Sequence, residues 1–121
     1  MAYSPINITI AKKRSIHYDP EEEICGQFYF DKSKYLPSAY LFRCAGAVEV
    51  TGSIMTIQLV DLTNNSVLST DTISSSLEPI HKNTIILSSF SSPVLLEVRA
   101  SVNNNSGNGI LGYAEFVLIP T

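Results

Sequence analysis

Tryptophan is absent from the 121 residues, and cysteine, methionine and histidine occur only twice each. Each scarcity removes a class of function. Two cysteines, Cys25 and Cys44, are too few for a disulfide framework, and neither stands in a zinc-ligand spacing. Without tryptophan the chain lacks the ring that best serves as a sugar platform, leaving only Tyr and Phe for that task. Basic residues are few as well: 8 Lys and Arg against 11 Asp and Glu give a net charge of −3, the wrong sign for a nucleic-acid backbone. Nucleic acid is not an expected partner. No run approaches the ~20 apolar residues needed to cross a bilayer, so no membrane insertion is expected. The start "MAYSPINITIAKKRS" has no charged head followed by an apolar core, and the expectation is synthesis in the cytosol without a signal peptide.

Catalytic signatures are missing too. No GxSxG, HExxH or Walker sequence occurs, and His17 and His81 lie in no motif that pairs them with a nucleophile or a metal. "FRCAG" places Cys44 as a thiol packed within a strand rather than an activated nucleophile. The chain is therefore read as no enzyme, with no cofactor and no metal.

What is present is alternation. At 45% hydrophobic residues the chain can bury a core as a single domain, read as residues 6–121 behind an N-terminal arm of residues 1–5. Ile6, Ile8 and Ile10 alternate with Asn7 and Thr9, as do Met55, Ile57 and Leu59 with Thr56 and Gln58. In "PVLLEVRASV", Val94, Leu96, Val98, Ala100 and Val102 fall on one face, and Glu97, Arg99 and Ser101 on the other. Period two is the signature of half-buried strands. It predicts about eight of them, over residues 6–11, 24–30, 39–50, 53–61, 67–73, 83–89, 93–103 and 110–119. "DLTNNSV" and "NNNSGNG" have turn compositions, and Pro falls at strand edges. The one stretch with helical character, "DPEEEI", is a single turn long. Evenly spaced antiparallel strands without helices close as two packed sheets, so the expected fold is all-β, an antiparallel β-sandwich of about eight strands with jelly-roll topology.

A family resemblance accompanies this pattern. A strand ending in Phe28, Tyr29, Phe30 and Asp31 leads through Tyr35 and Pro37 to an aromatic strand. The strand and turn "IQLVDLTN" follow, and the long apolar strand of "VLLEVRASV" comes late. Residues 26–119 in this order resemble β-sandwich, jelly-roll-like domains of phage tail and virion proteins and of bacterial surface proteins. The resemblance implies a binding or assembly module and carries over no catalytic residue.

Candidate sites are few. "EEEICGQFYFDKSKY" reads as a strand with a charged entrance, in which Phe28 and Phe30 face the core and Tyr29 faces out. In "NNNSGNG", Asn103, Asn104, Asn105 and Asn108 are the candidate ligand residues, with Tyr29 and with Asp61 or Asp71 from other loops. The bland reading is a turn rich in residues that tolerate positive φ. For assembly, the candidates are the strand of Ile6, Ile8 and Ile10 and the opposed charges Lys12, Lys13, Arg14 and Glu21, Glu22, Glu23. Two functions fit. The first is a structural protein built in many copies, as a virion component (decoration, fibre or tail) or a surface-appendage subunit. Its partners are copies of itself or other structural proteins of a particle, and its place is the virion or the cell or spore surface. The alternative is a carbohydrate-binding module or small lectin that takes surface glycans.

Overall fold

A computed structural model of the chain describes residues 6–16, 19–31, 37–49, 53–74, 80–86, 93–103 and 108–120. These residues form strands β1 (Ile6–Ala11), β2 (Arg14–Ile16), β3 (Asp19–Phe30), β4 (Pro37–Val48), β5 (Ile54–Asp61), β6 (Ser66–Ser74), β7 (Ile80–Ile86), β8 (Val94–Asn103) and β9 (Gly109–Pro120). No helix occurs among them. The expected arm, residues 1–5, lies outside the described residues.

One sheet has the order β1-β9-β4-β7, with β2 also pairing β9, and the other has the order β3-β8-β5-β6. Every pairing is antiparallel. β1 and β2 run along the same edge of β9, interrupted only by Lys12 and Lys13, so they act as one strand in two pieces. Counted that way, the first strand pairs the eighth, the eighth the third and the third the sixth. The facing sheet runs second, seventh, fourth, fifth, which is the jelly-roll order expected when eight antiparallel strands close as two packed sheets.

The core lies between the sheets. Phe42, Cys44, Leu111, Phe116 and Leu118 contribute from one side, and Phe30, Met55, Ile57, Leu59, Val94, Leu96, Val98 and Val102 from the other. Burying each large apolar side chain is worth about 1.5–3 kcal/mol, and a strand that alternates cleanly gains this on one face only. β8 does so: Val94 to Val102 are buried at every second position, while Leu95, Arg99 and Ser101 keep contact with solvent. At one end Phe30 and Phe116 meet edge to face at 5.1 Å, and Tyr40 stacks on Phe116 at 5.4 Å. Offset and T-shaped ring pairs add to their area burial.

Three expectations are corrected. The three-residue strand β2 was unforeseen, being too short to show a period. β3 starts at Asp19 rather than residue 24, so the charged entrance is itself part of the strand. Pro20 is tolerated because β3 is an edge strand of its sheet. β7 spans Ile80–Ile86 rather than 83–89, and residues 87–89 lie outside the described residues.

Candidate functional site

The outward faces and the edges of the sandwich carry the chain's polar chemistry. β3 is the informative element. Its pairing with β8 steps from Ile24 opposite Arg99 to Gly26 opposite Val98, which leaves Cys25 as the extra residue of a bulge. Arg14 Nη1 donates to the Ile24 carbonyl at 3.2 Å, across from β2. Cys25 is half-buried, and its Sγ donates to the Glu23 carbonyl at 3.5 Å. Burial pushes the Cys25 thiol up to about 11, against the opposing pull of the Arg14 charge. A thiol held protonated in this way is a poor nucleophile.

Beyond the bulge, side chains alternate as the sequence requires. Phe30 is fully buried, Phe28 packs against the core, and Gln27 and Tyr29 stand on the outer face. Gln27 Nε2 donates to Glu97 Oε1 at 2.7 Å, and Arg99 Nε donates to Glu97 Oε2 at 2.5 Å. Arg99 Nη1 also lies 3.7 Å from Glu22 Oε2. Glu97 belongs to the outward face of central strand β8, yet its side chain is only 2% exposed. A buried carboxylate is tolerable when both oxygens are bonded, and here both are. Sequence reading placed Glu97 and Arg99 on the outer face but did not join them to Gln27 and Glu22.

Asp61 and Asp71 are not free loop ligands. Asp61, fully buried at the end of β5, accepts from Asn64 N at 3.0 Å and Asn64 Nδ2 at 2.7 Å. Thr63 Oγ1 accepts from Leu95 N at 2.9 Å, and Asn65 adopts a left-handed φ of 53°. The "DLTNN" motif is therefore a side-chain-bonded turn between β5 and β6. Asp71 lies inside β6, buried, and accepts from Cys44 Sγ at 3.8 Å. Cys44 is fully buried in β4, as its sequence context indicated.

The expected Asn cluster is only partly in view. Asn103 ends β8, Asn104 and Asn105 lie outside the described residues, and Asn108 is half-buried with its carbonyl accepting from Glu49 N at 2.9 Å. Among the expected assembly residues, Ile6 is exposed, Ile8 is half-buried against the core and Ile10 is buried. Lys12 and Lys13 are exposed at the bend between β1 and β2, whereas Arg14 is bonded to β3. Glu22 pairs with Arg99, Glu23 is half-buried, and the side chain of Glu21 lies outside the described residues. The two charge blocks thus meet partners within the chain at Arg14 and Glu22.

Burial raises the phenols of Tyr40 and Tyr113, the latter helped by the nearby Glu115 carboxylate. Among the described residues no group of three His, Cys, Asp or Glu side chains is placed to hold a metal ion.

No protein-family model matches the chain, and no curated protein matches it. Solved structures do. The structure of infectious bursal disease virus, Gx strain, matches with a TM-score of 0.55 at 12% identity, over 98% of this chain and 34% of that one. T=1 particles derived from the same virus match at 0.56 and 10% identity, over 97% of this chain and 31% of that one. Dimeric latent PorU from Porphyromonas gingivalis matches at 0.56 and 10% identity, over 98% of this chain and 13% of that one. The chain spans about a third of the viral chains and a smaller part of PorU. At these identities the likeness is one of fold: a β-sandwich of this kind occurs in virus particles and in a bacterial protein, the classes that the sequence resembles.

Proposed function

We propose that this chain is a non-enzymatic structural protein that works by assembling in many copies, as a virion component (decoration, fibre or tail) or a surface-appendage subunit. The observation that carries the reading is the likeness in fold, over 97% and 98% of the chain, to chains of virus particles. The edges of the sandwich support it. Unpaired strand edges template further strands, and proteins usually guard them. β6 is guarded by Ser69 and Asp71, polar side chains turned inward from the edge. The first half of β3 is guarded by its bulge and by Arg14 on the Ile24 carbonyl. Among the described residues the first half of β1 has no such guard: Ile6, Asn7 and Thr9 are exposed and uncharged. A neighbour's segment can add there through backbone hydrogen bonds. Residues 1–5 and the exposed Lys12 and Lys13 assist that contact.

Light scattering across a concentration series, followed by negative-stain microscopy, tests the proposal. The expected result is an oligomer or polymer that is weakened by deleting residues 1–5 and by raised salt, since exposed charges are screened over about 10 Å at 0.1 M. A strictly monomeric protein at high concentration, indifferent to loss of the arm, would sink it.

A further inference from the structure

The described chain exposes five large apolar side chains, and they are unevenly placed: Ile24 (58%), Tyr29 (62%) and Val67 (51%) all lie on the outer face of the β3-β8-β5-β6 sheet. Register fixes this. Ile24 stands opposite Arg99 and Tyr29 opposite Leu95, both outward positions of β8. Val67 stands opposite Val60, which itself pairs with the outward Glu97. A row therefore crosses the sheet through Gln27, Glu97, Val60 and Val67, with Tyr29 to one side of it and Ile24 to the other.

We infer that this outer face is a contact surface for a second copy of the same chain, packed face to face about a two-fold axis lying along that row. The inference rests on the many-copy reading and adds a surface separate from the β1 edge. Two observations favour a second copy over another partner. Each charged group of the network on the face already has a partner inside the chain, because Glu97 is bonded by Gln27 and Arg99, and Arg99 also pairs with Glu22. Such a face needs no opposite charge from its partner, and covering it leaves no carboxylate unpaired. The second observation is the register. Rotation about the row reverses the strand direction while keeping each strand over itself, so Tyr29 of one copy falls over Ile24 of the other and Val67 over Val67. Arg99 falls over Leu95, with Tyr29 close enough to its guanidinium plane for a cation–π contact. The same patch thus completes itself, as an isologous interface requires.

Size is sufficient. Four strands spaced by about 4.8 Å and the eight residues of β5 give on the order of 500 Å² of face per copy. Two copies together reach roughly the 1,000 Å² at which a specific interface begins.

The axis makes a sharp test possible. Val67→Cys places a thiol on the axis, beside its own symmetry mate, whereas Cys25 is half-buried and Cys44 fully buried. Stacked sheets lie about 10 Å apart, beyond the reach of a disulfide, so a bismaleimide that spans about that distance is the probe, and with it Val67→Cys should give a covalently linked dimer on a denaturing gel. Wild type and Ile110→Cys, whose site is exposed on the other sheet, should not. Tyr29→Lys should weaken self-association at least about tenfold by sedimentation, as losing an aromatic anchor does. Its melting temperature, unchanged because Tyr29 is exposed, shows that the fold is intact. No cross-link from Val67→Cys, or wild-type association in Tyr29→Lys, overturns the inference. If deletion of residues 1–5 then dissolves the assembly, the many-copy reading survives without it, whereas a wild-type monomer removes both. Saturable binding of a glycan that is lost in Tyr29→Lys, with no dimer, would also overturn it.

Discussion

Replacing Gly26 by Ala should force β1 away from β3. A Cβ at position 26 would lie 2.0 Å from the Ile10 carbonyl oxygen, 2.9 Å from its carbon and 3.5 Å from Ala11 Cα. Comfortable contact between heavy atoms needs about 3.5 Å, so the two backbones must part by more than about 1 Å. No flexible side chain is available to absorb this, since every atom met belongs to backbone. Overpacking of this kind costs typically 1–3 kcal/mol, or about that range. Displacing β1 also uncovers part of Ile10 and Ala11, which are now buried, and a fully lost isoleucine is worth about 1.5–3 kcal/mol. Against this, Ala stiffens the unfolded chain and returns about 0.4–1 kcal/mol. The net expectation is a loss of roughly 2–4 kcal/mol, or about 8–16 °C in Tm for a chain of this size. Gly112→Ala is the internal control, because its Cβ would meet nothing closer than 3.4 Å, an ordinary contact. Thermal and urea unfolding of both variants reads the difference. A Gly26→Ala protein that melts within a degree or two of wild type would refute the claim that β1 and β3 are locked at this point.

Val98→Asp puts a carboxylate at a fully buried site between the sheets and should leave the domain unfolded, checked by circular dichroism and amide dispersion in NMR. In the wild type, circular dichroism should show a β-rich spectrum with less than about 10% helix. The Cys25 thiol is raised from 9.0 to about 11, so the folded state holds its proton where the unfolded state has lost it. Its stabilising contribution is therefore complete below pH 9 and is lost as pH rises towards 11, and urea midpoints across that window should fall more steeply in wild type than in Cys25→Ala. A glycan array with and without Ca²⁺ should give no saturable binding, and binding that disappears when Asn103, Asn105 and Asn108 are changed together to Ala would restore the lectin reading.

Alternation was legible in the sequence because it is local. The pleat sends successive side chains to opposite faces, so Val94, Leu96, Val98, Ala100 and Val102 announce a buried face before any partner strand is known. For the same reason Tyr29 could be placed outside and Phe30 inside. The composition of "DLTNN" marked a turn, but that Asp61 is spent on Asn64 there came only with the structure. Fold class followed from these elements. The start of β3 did not, because Asp19 to Glu23 carry few apolar residues and are extended by pairing with β8, where Asp19 stands opposite Val102 and Glu23 opposite Ala100. β2 owes its three residues to β9 in the same way.

Tertiary structure alone decided which polar groups meet. Glu97 and Gln27 are separated by 70 positions and become neighbours only because β3 and β8 share a sheet. Asp71 reads as an ordinary loop or surface acid, yet its strand turns it inward to the Cys44 thiol on the opposite sheet. The Glu and Lys blocks read as free surface charge until Arg14 folds onto the Ile24 carbonyl and Glu22 onto Arg99. Period two fixes which face a side chain takes, but the strand order fixes what stands beside it, and that order is set by closing the whole sandwich rather than by any stretch of sequence.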